Sequence, residues 1–248
     1  MEIITVCSRK GGAGKTATAQ ALGAGLVKEG YSVLYIDLDS QQNLSYALGA
    51  DMEARNIMSV LLGKCKATDA IQTTEQGADI IPASEILSSA DMALNDTGKE
   101  YKLKEALEGL KYDYCIIDTP AALGTLTINA LTASKSCVIP IQAEAFSLQG
   151  LQLVYGTISN VKKYCNPRLK IKGILITRYS GRAILSRDMR ENIEDEARRM
   201  KTKVFDTAIR ENIAIKEAQA LQTDIFSYAP KSNGAQDYQQ FVQEFLGK

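Results

Sequence analysis

Lys10-Gly11-Gly12-Ala13-Gly14-Lys15-Thr16 decides how this chain folds. The apolar run before it, Ile3-Ile4-Thr5-Val6-Cys7, predicts a strand. The Ala-rich stretch after it, with Leu22 and Leu26 four residues apart, predicts a helix over 16–29. Between them, small residues let the backbone curl with its N–H groups pointing inward. The first N–H groups of the helix and its dipole then favour an anion. Lys15 can reach the outer phosphates of a nucleotide, and the Thr16 hydroxyl can ligate Mg²⁺. A merely solubilising glycine turn does not explain a Lys-Thr pair at a helix start. Arg9 stands where the general P-loop pattern has its first glycine, so this is a variant of that loop.

Working outward, short apolar runs recur at 32–36, 79–81, 114–117, 136–141 and 171–176, most of them rich in Ile and Val. Runs without polar alternation predict strands covered on both faces, as in a parallel sheet. Helix-length segments lie between them at 100–110 and at 182–200, the latter with Leu185, Met189, Ile193 and Ala197 on one stripe. A turn at 230–234 precedes a last helix. The alternation predicts an α/β fold: a doubly wound, mostly parallel sheet with helices on both faces, formed by 1–248 as a single domain. Its chemistry belongs at the C-terminal strand ends.

Two acidic positions fall at such ends. Asp118, after Tyr114-Cys115-Ile116-Ile117, can hold Mg²⁺ directly or through water, or can serve as an ordinary loop or N-cap aspartate. Asp37 and Asp39 follow the run 32–36 and share a face if the chain is extended there. Histidine is absent, so a carboxylate is the natural water-positioning group. The five cysteines are scattered, with no CxxC pair, and a zinc or iron–sulfur site within one chain is not expected. Cys7, Cys115 and Cys137 sit in or beside apolar runs and read as buried thiols.

Hydrophobic residues make up 45% and charged residues 23%, which excludes a disordered or fibrous chain. No apolar stretch is long enough to span a bilayer, and no signal peptide is expected. Net charge is zero but uneven: 160–218 holds 15 Lys and Arg against 8 Asp and Glu, a local net of +7. That excess predicts either a basic face or a solvated helix carrying internal ion pairs.

The P-loop stretch, together with Asp37-Leu38-Asp39-Ser40-Gln41, Asp118-Thr119-Pro120, Val138-Ile139-Pro140-Ile141-Gln142, Thr177-Arg178-Tyr179 and 209–218, resembles the ParA/MinD family of deviant P-loop ATPases, nearer its short partitioning branch. The resemblance runs over nearly the whole chain, and its specific feature is Lys10. It implies that two chains sandwich two ATP molecules, with Lys10 reaching the partner's nucleotide and Lys15 acting as the P-loop lysine. Gly11, Gly12, Ala13, Gly14 and Ala17 would contact the nucleotide with them. Thr16, Asp37 and Asp118 would form the Mg²⁺ region, and Asp39 would orient the attacking water. Adenine contacts would come from loops at 177–180 and 209–213, including Arg178, Ile209 and Arg210. Ala13, Ala17, Ser40 and Ala121 depart from the commonest pattern without removing a charged group; Ser40, in place of a proline, could loosen its turn.

The family offers two rival partners. A MinD-like membrane or scaffold ATPase would need a basic amphipathic C-terminal helix. Here Tyr238, Phe241, Val242, Phe245 and Leu246 form the apolar stripe, but the polar face is mainly Gln, Asp and Glu, which predicts a helix packed on its own domain. The partitioning branch implies an ATP-dependent homodimer on non-specific double-stranded DNA, with slow hydrolysis stimulated by a ParB-like protein. Candidate phosphate contacts are Arg182, Arg187, Arg190, Arg198, Arg199, Lys201, Lys203, Arg210 and Lys216. The P-loop begins within ten residues of Met1, so no N-terminal helix-turn-helix module is expected. The corresponding location is the cytoplasm, on the nucleoid when ATP is bound.

Overall fold

The computed structural model describes residues 1–144, 147–180 and 184–248, without the side chains of 184 and 185. Among the described residues eight strands form one sheet: β1 (Glu2–Val6), β2 (Val33–Asp37), β3 (Gln72–Thr73), β4 (Asp79–Ile81), β5 (Tyr114–Asp118), β6 (Ser136–Gln142), β7 (Lys170–Tyr179) and β8 (Val204–Arg210). Their order is β3-β4-β2-β5-β1-β6-β7-β8, and every pair is parallel except β3–β4. All six expected strands are present. Every residue of β2 and β6 is buried, which is why those segments read as unbroken apolar runs.

Alternate strand residues feed opposite faces. Val33 and Tyr35 join one core with Leu22, Leu26, Phe241 and Phe245, while Leu34 and Ile36 join another with Ile57, Leu103 and Ile117. The first core lies beneath the P-loop helix (Lys15–Lys28) and the C-terminal helix (Asn233–Leu246). Glycines allow that close packing. A Cβ on Gly23 would lie 2.3 Å from the Tyr35 ring and hydroxyl, and one on Gly25 would lie 2.5 Å from Val242. Tyr35 cannot yield easily, because it is buried and its hydroxyl donates to the Gln20 carbonyl at 2.8 Å. Gly23→Ala is therefore expected to destabilise the protein by about 2 kcal/mol despite alanine's better helix propensity. Urea unfolding checks this: a midpoint at or above that of the wild type would show that the contact is not tight.

The expected helix at 100–110 is shorter, and this corrects the sequence reading. A 3₁₀ turn at Lys99–Tyr101 leads into a helix at Lys102–Ala106 only. Its Leu103 N–H is taken by Asn129 Oδ1 at 3.1 Å, and Gly109 leaves the helical region at φ +85°. The arginine-rich helix spans Ile184–Arg199 and buries Met189, Ile193 and Ala197 as expected; the Leu185 side chain lies outside the described residues. Lys201 ends it at φ +54°, with the Thr202 N–H returning to the Ala197 carbonyl at 3.0 Å.

Two strands escaped the sequence reading, β3 and β8. β8 is an edge strand that buries only Phe205 and Ile209 within a charge-rich segment. The acids of the C-terminal helix satisfy its outer edge. Glu244 accepts the Asp206 and Thr207 N–H groups at 2.9 and 3.1 Å, and Asp237 accepts the Arg210 N–H at 2.9 Å. Tyr238, Phe241, Val242 and Phe245 are buried against the sheet, as the apolar stripe predicted. Among the described residues no helix is long and apolar enough to cross a membrane.

Candidate functional site

Parallel register brings the expected residues to one edge. Val6, Asp37 and Asp118 are aligned across β1, β2 and β5, and Gln142, Thr177 and Ile209 across β6, β7 and β8. The P-loop leaves β1 there, with Gly12 at φ +73° and Gly14 at φ +84°, conformations that glycine adopts without strain. It is fixed from behind: Thr177 Oγ1 donates to the Ala13 carbonyl at 2.8 Å, and Gln142 Nε2 donates to the Gly12 carbonyl at 2.8 Å. A cavity of about 620 Å³ opens over the loop. Gly11, Gly12, Gly14, Lys15, Thr16, Ala17, Asp39, Arg178, Ile209 and Arg210 all line it. Lys10 and Ala13 line a neighbouring cavity instead.

Asp37 and Asp118 lie beneath, both buried. Thr16 Oγ1 donates to Asp118 Oδ2 at 2.6 Å, whereas Asp118 Oδ1 is buried with no hydrogen-bond partner among the described residues. Asp37 accepts the Ser45 N–H and hydroxyl at 2.9 and 2.7 Å and the Asp39 N–H at 3.0 Å. Burial pushes the Asp118 carboxyl well above the ordinary range and the charge of Asp37 adds to this, while the Thr16 hydrogen bond and Lys15 oppose it. Burial also raises Asp37, against the hydrogen bonds from Ser45. Two buried carboxylates, one with an orphaned oxygen, beside a threonine hydroxyl are a donor set that fits a hard divalent cation. Among the described residues no cluster of three or more His, Cys, Asp or Glu is gathered as a metal site, so such a cation would also draw on Thr16 and on phosphate oxygens.

Asp39 closes its own turn. Its carboxylate accepts the Gln41 N–H at 3.1 Å and its carbonyl the Gln42 N–H at 2.9 Å, so Ser40 does not leave the loop open. Lys15 is buried, with its ammonium 3.4 Å from the Lys10 carbonyl. Lys10 points elsewhere: Nζ donates to Gln142 Oε1 at 3.0 Å and pairs with Glu144. Gln142, Glu144, Ser45 and Tyr238 have no site role in the sequence reading, whereas Thr177 and Asn212 fall in the two loops expected at the adenine, and both line the main cavity. A signal existed for Gln142, a polar residue closing an apolar strand as Asp37 and Asp118 do. None marked Tyr238, whose spacing assigned it to the core.

The basic segment is largely engaged. Arg190 pairs with Glu194, Arg198 with Asp195, Arg199 with Glu196 and Lys203 with Glu244. Arg210 is gripped by Asp237. Arg187, Lys201 and Lys216 make no ion pair among the described residues, and Arg182 lies outside them. Arg198 and Arg199 remain well exposed, so their pairs are worth about 0.5 kcal/mol or less and do not withdraw them from other anions.

A mostly parallel sheet whose first strand feeds a glycine loop, with Lys-Thr at the helix start and acids at neighbouring strand ends, defines a P-loop nucleotide-binding protein. The AAA domain family model matches residues 1–171. The sporulation initiation inhibitor protein Soj of Bacillus subtilis is 40% identical over 98% of this chain and 97% of its own length. The chromosome partitioning protein ParA of Caulobacter vibrioides is 36% identical over 100% of this chain and 95% of its own. Among solved structures, cobyrinic acid a,c-diamide synthase from Mycobacterium smegmatis with bound ADP and magnesium superposes with a TM-score of 0.85 at 34% identity, covering 99% of this chain and 94% of that one. The chain belongs to the ParA/MinD family of P-loop ATPases.

Proposed function

We propose that residues 1–248 act as one ATP-dependent switch for DNA partitioning. The chain binds ATP and Mg²⁺ in the main cavity. It dimerises when ATP is bound, holds non-specific double-stranded DNA as a dimer, and hydrolyses ATP slowly until a ParB-like protein stimulates it. Lys15 and the loop N–H groups hold phosphates, Thr16, Asp37 and Asp118 serve the cation, and Asp39 orients water. Bound Mg²⁺ would neutralise developing phosphate charge. Its place is the cytoplasm, on the nucleoid in the ATP state.

The observation that carries this reading is Lys10. It belongs to the P-loop yet stays out of its own nucleotide cavity, tethered at the rim by Gln142 and Glu144. A second cation placed there can serve a nucleotide held by another chain and so tie dimerisation to nucleotide state. The buried apolar stripe of the C-terminal helix supports DNA over a membrane surface as the partner.

Light scattering with ATP, ADP and no nucleotide tests the switch, followed by binding of unrelated duplexes across a salt series. Dimers are expected only with ATP, accumulating in Asp39→Ala, and DNA affinity should fall with salt by about 0.9 in slope per phosphate contacted. Arg187→Ala with Lys201→Gly should weaken all duplexes alike and leave ATP binding intact. A monomer under every nucleotide condition rejects the switch; an ATP dimer indifferent to DNA at low salt rejects partitioning.

A further inference from the structure

The C-terminal helix meets the nucleotide site at two consecutive residues. Tyr238 lines the main cavity, and its hydroxyl lies 3.3 Å from Thr18 Oγ1 on the P-loop helix. Asp237, just before it, is buried and turned towards the end of β8. There its Oδ2 accepts the Arg210 backbone N–H and Nε–H, both at 2.9 Å, and its Oδ1 accepts Nη2–H at 2.6 Å. Arg210 in turn lines the main cavity, half exposed. Asp237 does not line the cavity, and the hydrogen bonds its carboxylate makes among the described residues all go to Arg210.

Two physical points assign a purpose to this clamp. A guanidinium held by two parallel hydrogen bonds, with its own backbone N–H tied to the same carboxylate, has already lost the rotamer freedom of a long side chain. A ligand meeting it does not have to order it. The second point is position. β8 stands three strands from β1, about 14 Å across the sheet at ordinary strand spacing. A nucleotide with its phosphates on the P-loop above β1 would extend its nucleoside end across the cavity towards Arg210.

We propose that Asp237 is a positioning residue for the nucleoside part of ATP. It fixes the Arg210 guanidinium as a preorganised part of the cavity wall that meets base and ribose. This rests on the cavity being an ATP site. It also removes Arg210 from the pool of mobile cations available to DNA phosphates.

The test compares ATP with inorganic tripolyphosphate, which offers the P-loop the same phosphates without a nucleoside. Calorimetry with Mg²⁺ would use the full chain as wild type, Asp237→Asn and Arg210→Lys. In both variants ATP affinity should fall about tenfold, while tripolyphosphate affinity should stay within about twofold. KM for ATP should rise with kcat unchanged at saturation. Unchanged ATP affinity, or an equal loss for both ligands, overturns the proposal, because the clamp would then be structural. Melting curves show whether Asp237→Asn folds; if it does not, Arg210→Lys, altered at a half-exposed position, carries the test with the same two overturning outcomes. Wild type that binds tripolyphosphate as well as ATP overturns the proposal and leaves the phosphate site standing. Wild type that binds neither overturns the ATP site itself and this proposal with it.

Discussion

Lys15→Ala is expected to lower affinity for Mg²⁺–ATP by about a hundredfold or more. The buried ammonium of Lys15 sits at the first turn of the P-loop helix, beside loop N–H groups that favour phosphate but carry no full charge. Removing it takes away the one full positive charge that lines the cavity from the P-loop, since Lys10 is directed to Gln142 and Glu144. A second effect acts in the same direction. Lys15 counters the upward push on the Asp118 carboxyl, so its loss favours a protonated Asp118 and weakens the cation site as well. Calorimetric titration of the variant checks this. Affinity within about twofold of wild type would mean that Lys15 does not face the phosphates.

Asp118→Asn should separate stability from function. Burial pushes Asp118 up to about 8 and Asp37 to about 6, both above the ordinary carboxylate range. A carboxyl with a raised folded pKa binds a proton in the native state at pH values where the unfolded chain has lost it. Unfolding free energy therefore falls as pH rises from about 4 to about 8, and this loss is complete above the folded value. Without Mg²⁺ and nucleotide, the wild type should melt lower at pH 8 than at pH 5.5. Asparagine keeps an acceptor for the Thr16 hydroxyl and carries no charge. The variant should gain about 2 kcal/mol, or several degrees in Tm, at pH 8, and should have a flatter pH profile. It should also lose Mg²⁺-dependent hydrolysis and most of the stabilisation that Mg²⁺–ATP gives the wild type. Scanning calorimetry at the two pH values, with and without Mg²⁺–ATP, decides. A variant less stable than wild type at pH 8 would show that Asp118 is satisfied by its surroundings.

Much of this site was legible because it is local. The loop from Lys10 to Thr16 specifies its own geometry through positive-φ glycines, and the helix start supplies the anion site without help from distant residues. Asp37 and Asp118 were visible because polar residues closing apolar strands stand out, and parallel pairing brings such ends together. The roles of Glu144, Asp237 and Tyr238 were not legible. They meet their partners across 134, 27 and 220 residues respectively, pairings that no periodicity encodes. The basic segment shows the converse limit. Its excess charge is plain in the sequence, yet the fold pairs Lys203 and Arg210 with acids of a helix whose acids had seemed only a polar face.

By itself, then, the sequence determined the layered α/β fold, the phosphate loop and the strand-end carboxylates, because these follow from short-range spacing, glycine's access to positive φ and the burial of apolar runs. Only the tertiary structure decided that Lys10 rests at the rim, that β8 closes the sheet under carboxylates from the C-terminal helix, and that Arg210 is held rather than mobile. Those outcomes depend on which charges become neighbours when the chain closes on itself, and a charge is assigned its partner by distance in space, not by distance along the chain.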